Sequence, residues 1–209
     1  MVRNAVRFVL VAFLLAAGFL VSAPYANADT FQFTSDHCTG GCGTAPFGTV
    51  TVNQNGANVD IVVTLAAGYS FVKTGAADFQ AFKFNAVGVV LGDITVDAHV
   101  PVLIAATGAF NGNGTGTFAF GINCPSCGNG ASDDFTAPIS FHVANATVAD
   151  LTQPNALGNI FVADVLAPNG NTGPVDVSTP PITTPEPATL TLLGLGLFGA
   201  GIVLRKKTR

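Results

Sequence analysis

Apolar residues alternate with polar ones at a period of two through the middle of the chain. The run Thr49 to Val52 is followed by Val59 to Leu65, and the intervening Asn55-Gly56 is typical of a tight hairpin turn. β-Branched and aromatic stretches of this kind predict strands, and further examples are 79–84, 117–120, 139–143 and 159–165. No segment of this region is long, capped and helically periodic. The sequence therefore predicts an all-β fold, an antiparallel β-sandwich of jelly-roll type.

Charge is distributed unevenly along the chain. Residues 29–184 carry two Lys, eleven Asp and no Glu, so their formal charge is two minus eleven, or −9, although the whole chain stands at −4. Six of the eight basic residues lie near the two ends. Phosphate backbones repel so acidic a surface, which argues against nucleic-acid binding.

The N-terminal end has the parts of a secretory signal peptide. Arg3 and Arg7 precede an uncharged apolar run at 8–21, which is short for a membrane span. Ala26 and Ala28 supply the small side chains that signal peptidase accepts. We expect signal peptidase to cleave after Ala28, and the alternative is a retained anchor helix.

The C-terminal end combines a motif, an apolar stretch and a basic tail. Residues 188–204 are uncharged and predict a transmembrane helix. With a rise of about 1.5 Å per residue, this helix is just long enough to cross a thin bilayer. Positive flanks stay on the cytoplasmic side, which places the acidic region outside. The basic residues that follow the helix are Arg205, Lys206, Lys207 and Arg209.

Pro185-Glu186-Pro187, the apolar stretch and the basic tail together resemble the PEP-CTERM sorting signal of Gram-negative bacteria. The resemblance implies processing near Pro185 to Pro187 by exosortase, an integral-membrane protease-like enzyme, with only transient membrane anchoring. PEP-CTERM proteins are linked to exopolysaccharide and biofilm, which implies a final location at the cell surface or outside the cell. The alternative is a plain tail anchor. The stretch 38–43, with the later cysteine pair, resembles uncharacterised exported PEP-CTERM proteins.

A segment rich in Asn, Gly, Thr and Pro precedes the motif and predicts an extended tether. The predicted organisation is therefore a signal peptide at 1–28, a β-sandwich ectodomain at 29–168, a linker at 169–184 and a sorting signal at 185–209.

Four cysteines occur as two close pairs, Cys38 with Cys42 and Cys124 with Cys127. An even count in an exported chain favours disulfides, for which three pairings exist. We favour pairing within each close pair, because two glycines make a tight loop from Cys38 to Cys42 feasible. One alternative is a zinc site to which His37 is adjacent, and another is a Cys-x-x-Cys redox motif. The cysteine spacing and the oxidising export route argue against zinc. The Gly-rich loop setting argues against the redox motif.

Recognised catalytic motifs are missing from the sequence. His142 alternates with apolar residues, which predicts that it faces solvent, and His99 falls in a loop. Asp133 and Asp134 are the most visible carboxylate pair, and their oxygen-rich segment suits Ca²⁺ although no EF-hand spacing is present. We expect no catalytic residues, no enzyme activity and no cofactor other than this candidate Ca²⁺.

Three functions are compatible with this sequence. The first is a structural or adhesive surface component embedded in extracellular polysaccharide. The second is a carbohydrate-binding module, against which the absence of Trp argues, since such sites usually stack sugars on exposed aromatic rings. The third is a secreted hydrolase, for which two carboxylates across a cleft are required.

Overall fold

The structure is a computed structural model that describes residues 28–74, 79–178 and 182–183. Within these ranges, no helix has the length and apolar character needed to cross a membrane. Most of the predicted signal residues lie outside the described residues, namely Ala26, Pro185, Glu186, Pro187, Arg205, Lys206, Lys207 and Arg209. Ala28, by contrast, is the first residue of a strand, so the predicted cleavage leaves that strand almost whole.

Short strands make up nearly all of the regular structure in the described residues, which confirms the all-β prediction. The first seven strands are β1 (Ala28–Gln32), β2 (Ser35–Asp36), β3 (Gly48–Asn55), β4 (Asn58–Leu65), β5 (Ser70–Lys73), β6 (Gln80–Phe84) and β7 (Ile94–Val96). The others are β8 (Ile104–Asn111), β9 (Thr117–Asn123), β10 (Gly130–Phe135), β11 (Ile139–Val143), β12 (Phe161–Leu166), β13 (Thr172–Val177) and β14 (Ile182–Thr183). Helical structure is limited to a 3₁₀ turn at Leu91–Asp93 and helix α1 at Val148–Leu151.

The first sheet has the strand order β14-β1-β3-β4-β11-β7. Its centre is the predicted β3–β4 hairpin, in which Asn55 pairs with Asn58 and Gly56 adopts a φ of 61°. Glycine reaches this left-handed conformation without the steric cost that a side chain brings, which explains the Asn-Gly turn. Alternate residues such as Val50 and Ile61 are buried while their neighbours are more exposed, as the sequence period requires.

The second sheet is built around β12. Strand β13 pairs with β12 along one edge, whereas β6 and β5 share the other edge, opposite Phe161 to Ala163 and Val165 to Leu166 respectively. Beyond them, β9 pairs with β6, β10 pairs with β5, and β8 forms the edge next to β9. Nearly every residue of β5, β6, β12 and β13 is buried, so these central strands of the sheet are covered on both faces.

Phenylalanine rings join the two sheets. Phe31 of the first sheet meets Phe161 of the second with ring centroids 5.2 Å apart, and Phe141 meets Phe84 at 5.1 Å and Phe82 at 6.0 Å. All five side chains are at most 1% exposed. Burying a side chain of this size contributes about 1.5–3 kcal/mol, so these rings form much of the hydrophobic core.

The predicted linker is wrong over part of its length. Strand β13 occupies Thr172–Val177 within it, and Val175 and Val177 are completely buried against the core. A turn in which the Ala167 amide donates to the Asn171 carbonyl returns the chain alongside β12. Composition alone predicted a tether, because Pro174 and the surrounding Asn, Gly and Thr obscure the alternation of two inward-facing valines.

Candidate functional site

Strands β5 and β6 lie end to end along one edge of β12, and β10 and β9 lie end to end beside them, so the second sheet has two adjacent gaps. Phe71 of β5 pairs with Val165 and Phe82 of β6 pairs with Ala163, so eleven positions on one side correspond to two on the other. Beside this gap, β9 ends at Asn123 and β10 begins at Gly130. We call the described residues around these two interruptions the strand break: Lys73, Phe79, Gln80 and 123–129.

Lys73 occupies the centre of the strand break and is only 9% exposed. Its Nζ donates hydrogen bonds to the carbonyl oxygens of Cys124 at 3.1 Å and Cys127 at 2.7 Å. The same ammonium lies 5.7 Å from the ring centroid of Phe79, a cation–π distance. The two carbonyl oxygens replace the water that a buried ammonium loses. The same two hydrogen bonds fix the loop between Cys124 and Cys127 against β5.

Phe79 has a φ of 50°, which is uncommon for a bulky residue. Such backbone conformations cost free energy and persist where surrounding contacts enforce them. Here the ring contact with Lys73 is one such constraint.

Both predicted disulfides form within the close cysteine pairs, Cys38 with Cys42 and Cys124 with Cys127. The second closes the loop that Lys73 binds. Because the thiols are used in this way, the four cysteines are not arranged as zinc ligands in this structure.

Asp133 and Asp134, the candidate Ca²⁺ ligands, lie in strand β10 rather than in a loop. The Asp133 carboxylate accepts a hydrogen bond from the Gly128 amide at 3.0 Å and so fixes the end of the disulfide loop. Within the described ranges, no group of three or more His, Cys, Asp or Glu side chains is placed to hold a metal ion.

A second buried lysine lies beside the strand break. Lys83 Nζ is 2.9 Å from Asp164 Oδ2, and both side chains are 1% exposed. Lys83 Nζ also donates to the Gln80 carbonyl at 3.0 Å. A desolvated pair of this kind is costly to break from one side, because the remaining charge stays buried.

On the same sheet, His37 binds the buried Asp176. His37 Nε2 and Asp176 Oδ2 are 2.7 Å apart, and the imidazole remains 33% exposed. Burial raises the pKa of the Asp176 carboxyl, and the hydrogen bond from His37 partly opposes that effect. His37, considered from the sequence as an adjunct to a zinc site, is therefore part of a structural pair.

His142 faces solvent, as its alternation predicts, and lies between two carboxylates. Its Nδ1 is 2.6 Å from Asp60 Oδ1 and its Nε2 is 2.8 Å from Asp97 Oδ1. Both ring nitrogens can donate simultaneously only in the imidazolium form. The hydrogen bond with Asp60 is the main cause of a raised pKa for His142, and in turn it lowers the pKa of Asp60. We call these three residues the histidine clasp, since they join β4, β11 and the end of β7.

The three histidines direct their hydrogen bonds to carboxylate or carbonyl oxygens. His99 contacts the carbonyl oxygens of Pro101 and Ala137, while His37 and His142 bind the aspartates named above. A nucleophile–base pair requires a hydroxyl or thiol in that position. The histidine hydrogen bonds therefore tie neighbouring segments of the chain together.

Sequence motifs do not mark the two lysines as site residues. A usable signal was present, because Lys73 and Lys83 are the only basic residues between positions 29 and 184. Lys83 also lies between Phe82 and Phe84, where a solvent-facing side chain would be expected. The structure buries it instead, because β6 is covered on both faces of the sheet.

Taken together, the fold and these clusters define a disulfide-bonded, antiparallel all-β protein in which the buried side chains of Lys73, Lys83, Asp164 and Asp176 hold neighbouring segments together. Residues 183–207 match the PEP-CTERM protein-sorting motif, which includes the predicted Pro-Glu-Pro segment and the apolar stretch. The match supports a PEP-CTERM protein, exported, membrane-associated and sorted to the cell surface through exosortase. No curated protein and no solved structure matches the chain.

Proposed function

We propose that the β-rich region is a jelly-roll-like sandwich that acts as a structural or adhesive component of an exopolysaccharide or biofilm matrix. The sorting motif at 183–207 is the observation that carries this proposal, since it directs the chain to the cell surface. In the proposed sequence of events, signal peptidase removes residues 1–28, the apolar helix 188–204 holds the chain transiently in the membrane, and exosortase then cuts near Pro185 to Pro187.

The organisation of the described residues supports a scaffold role. Two disulfides close short loops, the buried Lys83–Asp164 pair connects β6 with β12, and the hydrogen bond between His37 and Asp176 connects the residue after β2 with β13. Such features favour persistence outside the cell, where no chaperone or reductant maintains the protein.

Direct sugar stacking receives less support than scaffolding. Tyr69 is 9% exposed and most phenylalanines of the described region are buried, whereas Phe79 and Phe110 are partly exposed. The exposed large apolar side chains of this region are aliphatic. A flat aromatic platform for a sugar ring is thus not the arrangement found in the described residues.

Processing can be tested in a host with and without exosortase, using a tag placed before Pro185. We expect the mature mass to lack residues 1–28 in both hosts and to lack the apolar helix only where exosortase is present. Replacing Pro185, Glu186 and Pro187 with alanine should abolish the second loss. Replacing Pro180 and Pro181, which lie just upstream of the motif, is the matched control and should leave processing intact.

The matrix role needs a separate measurement. Deletion of the chain should reduce retention of polysaccharide at the cell surface and surface attachment, and the processed protein should restore both. Normal attachment in the deletion strain would contradict the proposal. Specific glycan-array binding would favour a carbohydrate-binding module, and turnover that disappears in Asp133→Ala or Asp134→Ala would favour a hydrolase.

A further inference from the structure

Lys83 and Asp164 meet inside the protein on adjacent strands, β6 and β12. The distance from Nζ to Oδ2 is 2.9 Å, and each side chain is 1% exposed. In the sheet register Lys83 lies opposite Val162 and Asp164 lies opposite Pro174, so apolar residues flank the pair. An amine and a carboxyl group are thus held in contact where water has little access.

The Asp164 carboxyl group is incompletely satisfied as an anion. Its Oδ1 is buried and has no hydrogen-bond partner among the described residues. Buried carboxylates usually engage both oxygens, and a desolvated ion pair recovers its solvation cost only when its hydrogen bonds are complete. Condensation at this position would remove both charges and leave Oδ1 as a neutral amide carbonyl oxygen, which is less costly to bury than a carboxylate oxygen.

We propose that Lys83 and Asp164 condense to an intramolecular isopeptide bond after the protein folds. Transfer of a proton from Nζ to Oδ2 gives a neutral amine and a carboxylic acid. The nitrogen lone pair then attacks Cγ of Asp164 to form the C–N bond. The Cγ–OH bond breaks, and the hydroxyl leaves with a proton from the nitrogen as one water molecule. No oxidant, reductant or cofactor enters the balance.

Two physical effects favour the condensation in the folded state. Holding the reacting groups together corresponds to an effective molarity on the order of 10⁵–10⁸ M for well-oriented intramolecular reactions. The step also removes two desolvated charges, whose burial disfavours the unreacted pair. Amide formation that is unfavourable between free solutes in water is thereby favoured at this site.

The bond would join β6 to β12 within the second sheet, between residues 81 positions apart in sequence. A covalent cross-link of that span restricts the unfolded chain and keeps the two strands together under mechanical load. Such protection suits a protein exported to the cell surface, although the inference rests on the pair's geometry and not on the proposed matrix function.

Mass spectrometry of the exported, processed protein tests the proposal. After reduction of the disulfides, the intact mass should be lower by one water molecule than the mass calculated from the sequence of the processed chain. A protease that cleaves before aspartate should release a branched product in which peptide 78–92 is joined to peptide 150–175, because Asp164 is no longer a cleavage site. Dehydration of an aspartate to a succinimide also removes water, but it leaves every peptide linear.

Two variants complete the test. Lys83→Arg keeps a cation beside Asp164 but lacks the primary amine, so its mass should be complete and its peptides linear. Lys73→Met removes the other buried lysine, which binds carbonyl oxygens, and should retain the branched product. Linear peptides 78–92, 150–163 and 164–175 from the wild-type protein would overturn the proposal, as would a branched product from Lys83→Arg.

Discussion

The ammonium group of Lys73 donates to the carbonyl oxygen of Cys127 over 2.7 Å, which fixes a disulfide-closed loop to the strand beside it. The second bond of Lys73, to the Cys124 carbonyl, binds the other end of the same loop. One buried cation therefore organises the point at which two neighbouring strands are interrupted. Outside the cell, this contact and the Cys124–Cys127 disulfide keep the strand break ordered together.

Replacement of Lys73 with methionine should destabilise the protein by about 1.5–3 kcal/mol, the range for hydrogen bonds to a charged group. Methionine fills a similar volume but leaves the carbonyl oxygens of Cys124 and Cys127 without their donor. Urea denaturation provides the measurement. In a variant in which Cys124 and Cys127 are both replaced with serine, the same substitution should reduce the free energy of unfolding clearly less, because the loop is then free to rearrange. An equal cost in the two backgrounds would show that lysine and disulfide act independently.

Each disulfide should contribute about 2 kcal/mol, because loops of this length restrict the unfolded chain only modestly. The bridged residues are separated by four positions for Cys38–Cys42 and three for Cys124–Cys127. Paired serine variants at each bridge, compared by urea denaturation, measure the two contributions. Peptide mapping without reduction should recover the local pairs, and a peptide that joins Cys38 to Cys124 or Cys127 would contradict the structure.

The histidine clasp should make stability depend on pH. The pKa of His142 is raised in the folded state, so its stabilisation is fully present below the ordinary value of 6.5 and disappears as the pH rises through the folded pKa. The pKa of Asp60 is lowered, so its contribution is present above 3.8 and is lost as the pH falls through its folded pKa. We expect His142→Gln to cost most between these limits, about 0.2–1 kcal/mol as for other exposed ion pairs.

Unfolding measured between pH 5 and pH 9 in wild type and His142→Gln checks this dependence. The difference between the two proteins should shrink toward alkaline pH. Asp97→Asn, which removes one of the two carboxylates around the imidazole, should show a smaller pH dependence than wild type. A difference that stays constant across the range would mean that His142 contributes only through packing.

Phe161 should be among the most sensitive core positions. Its ring contacts Phe31 across the sheets at 5.2 Å and Phe82 within its own sheet at 5.8 Å. Phe161→Ala leaves a cavity between the two layers and should cost about 3–5 kcal/mol. Leu157→Ala, a few residues earlier and 63% exposed, is the matched control and should change stability by less than about 0.5 kcal/mol. Thermal or urea unfolding of both variants distinguishes the outcomes.

By itself, the sequence determined the all-β class, the β3–β4 hairpin and the identity of the sorting signal. Period-two alternation, an Asn-Gly turn and a motif of adjacent residues are local features, and local features can be read along a single chain. It missed β13, because turn-forming residues around Pro174 obscured the alternation of Val175 and Val177.

Only the tertiary structure decided which charges are buried and what they bind. Lys83 and Asp164 are 81 positions apart, and His37 and Asp176 are separated by 139. Their contacts depend on strand order and register, which no short pattern in the sequence specifies. The same holds for the strand break, since two interruptions distant in sequence become one site only when the sheet places them side by side. Long-range pairing of strands, rather than residue type, is therefore what turned two isolated lysines into an organising feature of this protein.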